Sequence, residues 1–423
     1  MNDRKIELLA PAGSYESLQA AVIAGADSIY FGVDQLNMRA RSSDSFSVDD
    51  IKTISSICKA NGLKSYIALN TVMYEHDMQL LKVILLEVKK HGITAVIASD
   101  FSVIRHCRNL DIPLHISTQA NVSNSESIQF FSGFSDAIVL ARELTLKQIK
   151  EIVSEIQRKK IRGASGDLMR IEIFVHGALC MAVSGKCYLS LHTQNASANR
   201  GACVQNCRRA YRVTDTESGE ELRIDNEYIM SPKDLCTIEI LDEVMDSGAD
   251  ILKIEGRTKG ADYVQVVTRC YREAIRAVEE GTFTAEKVAS WKNELQKVYN
   301  RGFWEGYYLG RKFGEWTPHP GSAATEKKIY IGKGVRYYPE IHVGEFILES
   351  GILRVGDTMM RTGPACGMLK ETIMTLRVNG IEGTEAVKGD RITFPVDSKV
   401  TVRDKIYKII ETARHADNSS IQE

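Results

Sequence analysis

Four cysteines in one short stretch are the residues of this chain best suited to metal chemistry. They are Cys180, Cys187, Cys203 and Cys207, spaced Cys-x6-Cys-x15-Cys-x3-Cys in a chain that has nine cysteines in all. Thiolates are soft ligands that bind zinc or the irons of an iron–sulfur cluster. Structural zinc sites usually contain close Cys-x2–4-Cys pairs, and only the last pair has that spacing. The wider first spacing favours an iron–sulfur cluster, with zinc and unligated thiols as the alternatives.

A fifth cysteine, Cys236, lies just beyond these four. It ends the segment Ser-Pro-Lys-Asp-Leu-Cys at 231–236, which resembles a helix start with proline in its first turn. We therefore interpret Cys236 as a small buried residue on a helix rather than as a ligand.

Polar side chains at the ends of predicted strands form a second candidate site. Arginine grips carboxylates and phosphates through paired hydrogen bonds, so several arginines around one opening indicate an anionic substrate. The alternative is salt bridging among neighbours, Arg142 with Glu143 and Arg257 with Glu255. The residues that we predict to bind substrate are Arg39, Arg41, Asn70, Gln119, Arg142 and Arg257.

His176 and Glu255 are the candidates for catalysis. Histidine can act as a general acid or base because its pKa lies near neutral pH. The alternative for His176 is a structural histidine whose hydrogen bonds are satisfied inside the fold. The sequence contains neither His-Glu-x-x-His nor Gly-x-Ser-x-Gly. A hydrolase interpretation therefore has no catalytic motif to support it.

Eight short β-rich runs alternate with helical patterns over residues 6–257. The runs are 7–10, 28–33, 65–69, 95–99, 114–118, 137–141, 171–175 and 251–254. Several are almost continuously apolar, which is typical of parallel strands covered on both faces. Eight such units in about 250 residues predict an α/β fold, a TIM-like (β/α)8 barrel. A doubly wound open sheet is the alternative, although no Gly-x-Gly-x-x-Gly follows the first run.

The alternation fails between residues 178 and 230, after the predicted seventh strand. Loops that follow barrel strands lie at the carboxyl-terminal face, where such barrels keep their active sites. We therefore expect this cysteine-rich insertion to lie over the barrel mouth. From about residue 322, short β-like runs separated by glycines predict a small antiparallel β-barrel. The predicted domains are 1–321 and 322–423.

Composition excludes some classes of protein. The hydrophobic content of 43% is enough for a large core, and a formal net charge of −1 excludes a simple electrostatic nucleic-acid binder. A local basic patch is still compatible with that charge: Arg200, Arg208, Arg209 and Arg212 flank the cysteines, where they could meet RNA phosphates or offset thiolate charge. The N-terminus has no secretory apolar region, and no run approaches the ~20 apolar residues of a membrane span. We expect a cytoplasmic protein with reduced thiols and no membrane partner.

Several motifs resemble those of the collagenase-like peptidase family U32, and the resemblance covers nearly the whole chain. The last hundred residues look like the family's C-terminal barrel, which is similar to the second domain of translation factors. The motifs are Glu172-x-Phe174-x-His176-Gly177-x-x-Cys180, Ser184-Gly185-x-Cys187, Asn199-Arg200-Gly201-x-Cys203-x-Gln205-x-Cys207-Arg208, Glu7-Leu8-Leu9-Ala10-Pro11-Ala12-Gly13, Leu252-Lys253-Ile254-Glu255-Gly256-Arg257 and Arg301-Gly302-Phe303.

This resemblance implies an RNA-modifying enzyme. Family members hydroxylate transfer RNA, ribosomal RNA or ubiquinone precursors, and this chain looks most like the tRNA hydroxylation members. They make 5-hydroxyuridine at the wobble position, and prephenate, a dicarboxylate, is implicated as a required metabolite. The resemblance implies a four-iron (4Fe-4S) cluster on Cys180, Cys187, Cys203 and Cys207. The implied partners are the tRNA anticodon arm and a paralogous protein. The alternatives are a metallopeptidase, as the family name suggests, and a non-catalytic RNA-binding or cluster-carrying protein.

Overall fold

The computed structural model describes residues 5–38, 46–211, 214, 216–218, 230–310, 314–318 and 321–412. The strands of its first part are β1 (Glu7–Pro11), β2 (Ser28–Phe31), β3 (Lys64–Ala68), β4 (Ala95–Ala98), β5 (Leu114–Ile116), β6 (Ala137–Val139), β7 (Arg170–Gly177), β8 (Asp234–Cys236), β9 (Ile251–Ile254) and β10 (Phe303–Trp304). The helices are α1 (Tyr15–Ile23), α2 (Asp50–Ala60), α3 (Met78–His91), α4 (Phe101–Asn109), α5 (Ser125–Ser132), α6 (Leu146–Lys159), α7 (Leu189–Gln194), α8 (Leu241–Asp246), α9 (Ala261–Glu279) and α10 (Ala285–Lys297).

Eight parallel strands close into a barrel. Strands β1 to β7 pair in chain order, and β9 pairs with both β7 and β1. The predicted TIM-like barrel is therefore confirmed, and all eight predicted strands are present. The open-sheet alternative is wrong, because an open sheet would leave its two edge strands unjoined. The barrel strands are buried on both faces, which explains their apolar runs.

Polar caps begin several of the helices that surround the barrel. Ser14, Asp100, Asn124 and Thr145 each accept a hydrogen bond from a backbone N–H in the first turn of α1, α4, α5 and α6. Such caps satisfy N–H groups that have no partner inside the helix. Each cap follows the end of a strand, so it directs the chain from the barrel mouth back along the outside.

Strands β8 and β10 lie outside the barrel circuit. β8 runs antiparallel to the end of β7, with Cys236 opposite His176, and β10 pairs with β8 in parallel. The prediction of a helix start at 231–236 is therefore wrong. The physical reason is the length of β7, whose eight residues extend past the barrel rim and offer backbone groups that β8 pairs with.

The C-terminal module is built of antiparallel sheet, which confirms the antiparallel pairing expected for the predicted small β-barrel. Its strands are β11 (Glu326–Tyr338), β12 (Val343–Leu348), β13 (Ile352–Arg354), β14 (Thr358–Gly363), β15 (Gly367–Thr372), β16 (Leu376–Val378), β17 (Ile381–Gly383), β18 (Glu385–Val387), β19 (Arg391–Pro395) and β20 (Lys405–Glu411). The main sheet has the order β15-β14-β20-β11-β12-β19-β16-β17, and β13 pairs with β18. It encloses its own apolar core around Phe346 and Phe394.

The module docks on the helical side of the barrel. Gln265 of α9 donates to the Met368 carbonyl at 2.9 Å and accepts from the Met368 N–H at 3.1 Å. The Lys328 ammonium also pairs with Asp262 at 2.5 Å. The predicted domain boundary at residue 322 stays a prediction. Over the part of the chain that the structure describes, no helix combines the length and apolarity that crossing a membrane requires.

Candidate functional site at the barrel mouth

A cavity opens at the carboxyl ends of the barrel strands, the end where such barrels keep their active sites. It encloses about 680 Å³ of space, including its opening to solvent. Its lining joins predicted site residues to the cysteine-rich insertion. We call it the mouth cavity and define it by Tyr30, Asn70, Gln119, Arg142, Phe174, Cys180, Lys253, Glu255 and Arg257, among other lining residues.

Most of the predicted site residues meet here. The structure brings together Asn70, Gln119, Arg142, Glu255 and Arg257, which follow four different strands of the barrel. The predicted substrate-binding residues Arg39 and Arg41 lie outside the residues that the structure describes. A parallel barrel explains the convergence, because all residues that follow its strands emerge at one face.

Two aromatic rings in the wall hold three cationic side chains. The Arg142 guanidinium carbon lies 3.8 Å from the centre of the Phe174 ring, and the Lys253 ammonium lies 5.4 Å from it. The same Lys253 ammonium lies 4.5 Å from the centre of the Tyr30 ring, and the Arg257 guanidinium carbon lies 5.7 Å from it. Ring faces attract cations, so Tyr30 and Phe174 fix positive charge around the cavity.

Arg142 retains hydrogen-bonding capacity. Its Nη1 donates to the Ala178 carbonyl at 3.0 Å, while its buried Nε has no hydrogen-bond partner among the described residues. The predicted alternative, a salt bridge to Glu143, does not form within the described part of the chain, where Glu143 is exposed to solvent. A half-buried guanidinium without a carboxylate partner is suited to receive an anion.

The charge of Lys253 is balanced from below. Its ammonium lies 2.6 Å from Oε1 of Glu172, whose Oε2 lies 3.1 Å from Nδ1 of His115. Burial alone would raise the pKa of Glu172, but Lys253 and His115 outweigh burial and hold that pKa below its usual value. Glu172 therefore stays ionised and holds Lys253 in position. Sequence reasoning missed Glu172 and His115, although a charged residue inside an apolar strand was a usable signal.

A second buried carboxylate closes the opposite end of the barrel. Glu7 accepts from Lys64 and Arg170, each at 2.7 Å, and from the Tyr66 hydroxyl at 2.6 Å. Burial opposes ionisation of Glu7, yet Arg170 and these hydrogen bonds outweigh it and lower the pKa to about 2. The charge of Glu7 is therefore balanced by neighbouring side chains among the described residues.

Amide and carboxylate groups complete the rim. Gln119 donates through Nε2 to the Asn70 carbonyl at 2.8 Å and accepts from Ser117 at 2.7 Å. The Asn70 side-chain oxygen accepts from the Met38 N–H at 3.3 Å. The Tyr30 hydroxyl donates to Oε2 of Glu255 at 3.1 Å. These contacts hold the predicted catalytic Glu255 and both amides in defined orientations at the cavity.

His176 lies outside the mouth cavity. Its ring packs among Tyr263, Tyr271 and Phe303, with Nδ1 3.4 Å from the Tyr271 hydroxyl. Burial lowers its pKa to about 3, so the ring is neutral at physiological pH. A register shift between Phe174 and His176 turns the histidine away from the side that Phe174 faces. This geometry fits the structural alternative, and the catalytic role of His176 stays a prediction.

A glycine permits the chain to turn where the insertion begins. Gly177 has φ of +105°, and a Cβ built there would lie 2.4 Å from the backbone oxygen of Glu255. Such a backbone conformation is rarely open to other residues. Gly177 thereby lets β7 pass close to Glu255 and leads directly to Cys180.

The four cysteines of the insertion lie near one another. Cys180 lines the mouth cavity, and Cys187, Cys203 and Cys207 are half-buried. Burial raises the pKa of Cys207, Arg208 opposes that rise, and the other three thiols raise it further. Mutual repulsion of this kind requires the sulfurs to be close neighbours. Within the described residues, no three His, Cys, Asp or Glu side chains are arranged to hold a single metal ion.

The fifth cysteine and the flanking arginines have structural surroundings. Cys236 is buried in β8, and burial raises the pKa of its thiol to about 11.

Arg208 donates to the carbonyls of Leu179 and Pro232, and Arg200 pairs with Asp77 and donates to the Val72 carbonyl. Two of the predicted basic residues therefore brace the insertion against the barrel. The other two differ: Arg209 is exposed, and Arg212 lies outside the described residues.

Comparisons with known proteins agree with these features. The model of peptidase family U32 matches residues 13–318. A protein of Porphyromonas gingivalis named collagenase is 50% identical over 408 residues, which cover 96% of this chain and 99% of that protein. The tRNA hydroxylation protein P1 of Bacillus subtilis is 34% identical over 388 residues, covering 88% of this chain and 87% of that protein. The 23S rRNA 5-hydroxycytidine C2501 synthase of Escherichia coli is 32% identical over 323 residues, covering 74% of this chain and 46% of that protein.

Proposed function

Because the chain belongs to peptidase family U32, a family of enzymes, we propose that it hydroxylates a base of RNA. The proposed substrate is the wobble uridine of tRNA, and the proposed product is 5-hydroxyuridine. The names of the relatives from Bacillus subtilis and Escherichia coli support RNA hydroxylation. One observation carries the proposal: Cys180 of the four-cysteine insertion lines the same cavity as Arg142 and Arg257.

The proposed cofactor is a 4Fe-4S cluster on Cys180, Cys187, Cys203 and Cys207. Four thiols on one insertion are the donor set that such a cluster takes, and their mutual effect on the pKa of Cys207 supports their proximity. A cluster bound there would supply one-electron redox chemistry beside the cavity. Zinc is the alternative for the same thiolates.

The proposed small ligand is prephenate, a dicarboxylate. Arg142 and Arg257 are held on two different aromatic rings, so two guanidinium groups face one cavity. Each could receive one carboxylate through charge-assisted hydrogen bonds. Glu172 already balances Lys253, and Arg142 has no carboxylate partner among the described residues, so Arg142 is the cation that a bound carboxylate would neutralise most directly.

The proposed macromolecular partner is the tRNA anticodon arm. The bases of such a loop are unstacked and accessible, so one base can enter a cavity while its ribose and phosphates remain outside. The mouth cavity opens to solvent, as this entry requires. The proposed location is the cytoplasm, where tRNA is found, and a paralogous protein of the same family is a further proposed partner.

Peptide hydrolysis is the second candidate, favoured by the relative named collagenase. Hydrolysis would need a nucleophile with its base, or a metal with an open coordination position. Among the described residues, His115 and His176 are buried and lie beyond the cavity lining. Four thiolates would also fill a zinc shell and leave no position for an activated water.

RNA hydroxylation is tested in a strain that lacks this gene and its paralogues. We expect the strain to lose 5-hydroxyuridine from its tRNA, as measured by mass spectrometry of digested nucleosides. Wild-type protein and the matched control Cys58→Ser, a buried thiol of α2, should restore it, and Cys203→Ser should not. Unchanged 5-hydroxyuridine in that strain would refute RNA hydroxylation.

Purified proteins separate the cofactor and the second candidate. Anaerobically purified wild type and Cys58→Ser should contain iron and sulfide, and Cys203→Ser should contain far less of both. Stoichiometric zinc without sulfide would support the alternative metal. Cleavage of collagen by the wild type that disappears in Cys203→Ser would support the peptidase.

A further inference from the structure

We propose that Asn70 makes the mouth cavity selective for uridine over cytidine. The inference rests on the proposed function only in requiring that an RNA base enters this cavity. Uracil and cytosine have similar shapes and differ mainly at C4 and N3. Uracil has an oxygen at C4, which accepts a hydrogen bond, whereas cytosine has an amino group, which donates one. A side chain that offers only a donor at that position distinguishes the two bases.

The contacts of Asn70 determine which of its atoms is available. Its Oδ1 accepts from the Met38 N–H at 3.3 Å, and a backbone N–H can only donate, so this contact assigns the oxygen. The Asn70 carbonyl oxygen is taken by Gln119 at 2.8 Å. Within the described part of the chain, the Nδ2 amino group makes no hydrogen bond. Asn70 lines the mouth cavity, and Nδ2 is the donor that the proposal assigns to recognition of an entering base.

The neighbouring amide of Gln119 differs from that of Asn70, because its nitrogen already donates a hydrogen bond within the protein. Gln119 donates through Nε2 to the Asn70 carbonyl and accepts through Oε1 from the Ser117 hydroxyl at 2.7 Å. One of the two Nε2 hydrogens and the amide oxygen are thus engaged within the protein, which fixes the orientation of this side chain. Gln119 lines the same cavity and is similarly half-buried. It contacts the backbone carbonyl of Asn70 rather than the Asn70 side chain, so it serves as a control for a charge added to the same cavity.

In this proposal, the group at C4 of the base lies beside Asn70. A base that leaves its stack remains attached to ribose through N1, so the edge farthest from the ribose enters first. That edge carries C4 and C5, whereas O2 stays beside the ribose at the opening. Hydroxylation at C5 also requires this edge to point inward. The Nδ2 group of Asn70 would then face O4 of uracil, or the amino group of cytosine.

The energetic difference is large enough to measure. Uracil gains one hydrogen bond from Asn70, whereas cytosine would place two donors against each other and bury both without acceptors. Loss of one bond together with burial of unpaired donors corresponds to a discrimination of at least about tenfold in affinity. One relative has a name that specifies cytidine, so membership of the family does not by itself determine which base this chain selects.

The test measures binding of two anticodon stem–loops that differ only in uridine or cytidine at the target position. Fluorescence anisotropy with the full-length protein should give wild type at least tenfold tighter affinity for the uridine loop. Asn70→Asp keeps an oxygen for the Met38 N–H and replaces the donor by an acceptor, so its preference should shift to cytidine. Asn70→Ala should bind both loops with similar affinity.

Gln119→Glu controls for the added charge. It places the same negative charge in the same cavity while the Asn70 donor remains, so both affinities should fall and their ratio should stay uridine-selective. Equal binding of the two loops by wild type, or equal shifts in the ratio for Asn70→Asp and Gln119→Glu, would overturn the role of Asn70 alone. Failure of wild type to bind either loop would overturn RNA entry and the proposed function together.

Discussion

Removal of the Arg142 guanidinium should weaken binding of a dicarboxylate without unfolding the protein. The Arg142 guanidinium carbon lies 3.8 Å from the centre of the Phe174 ring, and Nη1 donates a hydrogen bond to the Ala178 carbonyl. Its buried Nε has no hydrogen-bond partner among the described residues. A hydrogen bond to a charged group contributes about 1.5–3 kcal/mol. Arg142→Gln, which removes one such bond, should therefore raise the dissociation constant for prephenate roughly 10- to 150-fold.

Arg142→Lys refines the same experiment. Lysine keeps the charge but lacks the planar fork and stacks less well on the ring, so its affinity should fall between wild type and Arg142→Gln. Isothermal titration of anaerobically purified protein with prephenate measures both variants. Arg158→Gln, an exposed arginine of α6 that pairs with Glu155, is the matched control and should bind as wild type does. If Arg142→Gln stays within twofold of wild type, the guanidinium does not hold the ligand and the reasoning fails.

Three further predictions concern the fold and the pH dependence. Glu7→Gln should lower the free energy of unfolding by about 3 kcal/mol at neutral pH, because lowering the Glu7 pKa from 4.5 to about 2 stabilises the folded state by that amount. In urea unfolding, the difference in stability between this variant and wild type should shrink as the pH falls from 4.5 towards 2. His176→Gln should leave the pH profile of hydroxylation unchanged between pH 6 and 8, because burial holds the wild-type pKa near 3; loss of a titration step in that range would contradict this. Gly177→Ala should destabilise by at least ~2 kcal/mol in thermal unfolding, because of its positive φ and the nearby Glu255 oxygen, whereas Gly133→Ala, which meets open space, should not.

The barrel could be predicted from the sequence because its strands are buried on both faces. Because of this burial, each strand has a short, mainly apolar sequence, and amphipathic helical patterns separate these sequences. β8 has no such signature. It is three residues long, carries Asp234 and follows Pro232, so its local sequence favours a helix start. The segment 234–236 forms strand β8 because it pairs with the end of the long strand β7, and this tertiary contact cannot be inferred from local sequence.

The site was predictable where residues follow strands and less so where they lie within them. Asn70 and Arg142 were found because barrel topology brings the ends of all strands to one face. Tyr30 and Phe174 were missed, because aromatic residues inside apolar strands cannot be distinguished by sequence from residues of the hydrophobic core. Their role as supports for cations depends on neighbours that are distant in sequence. The position of His176 outside the mouth cavity could not be predicted, because a register shift cannot be inferred from local sequence.

The pairing of charges inside the barrel explains why the mouth is free to take an anion. Glu7 is paired at one end, and Glu172 binds Lys253 and His115 at mid-depth. Unpaired buried charges are costly, so each of these groups must be balanced where it lies. This balancing engages Glu7 and Glu172 below the cavity and leaves Arg142 above them without a carboxylate partner in the described part of the chain. A carboxylate bound at Arg142 would extend the same pattern of balance to the solvent side of the barrel.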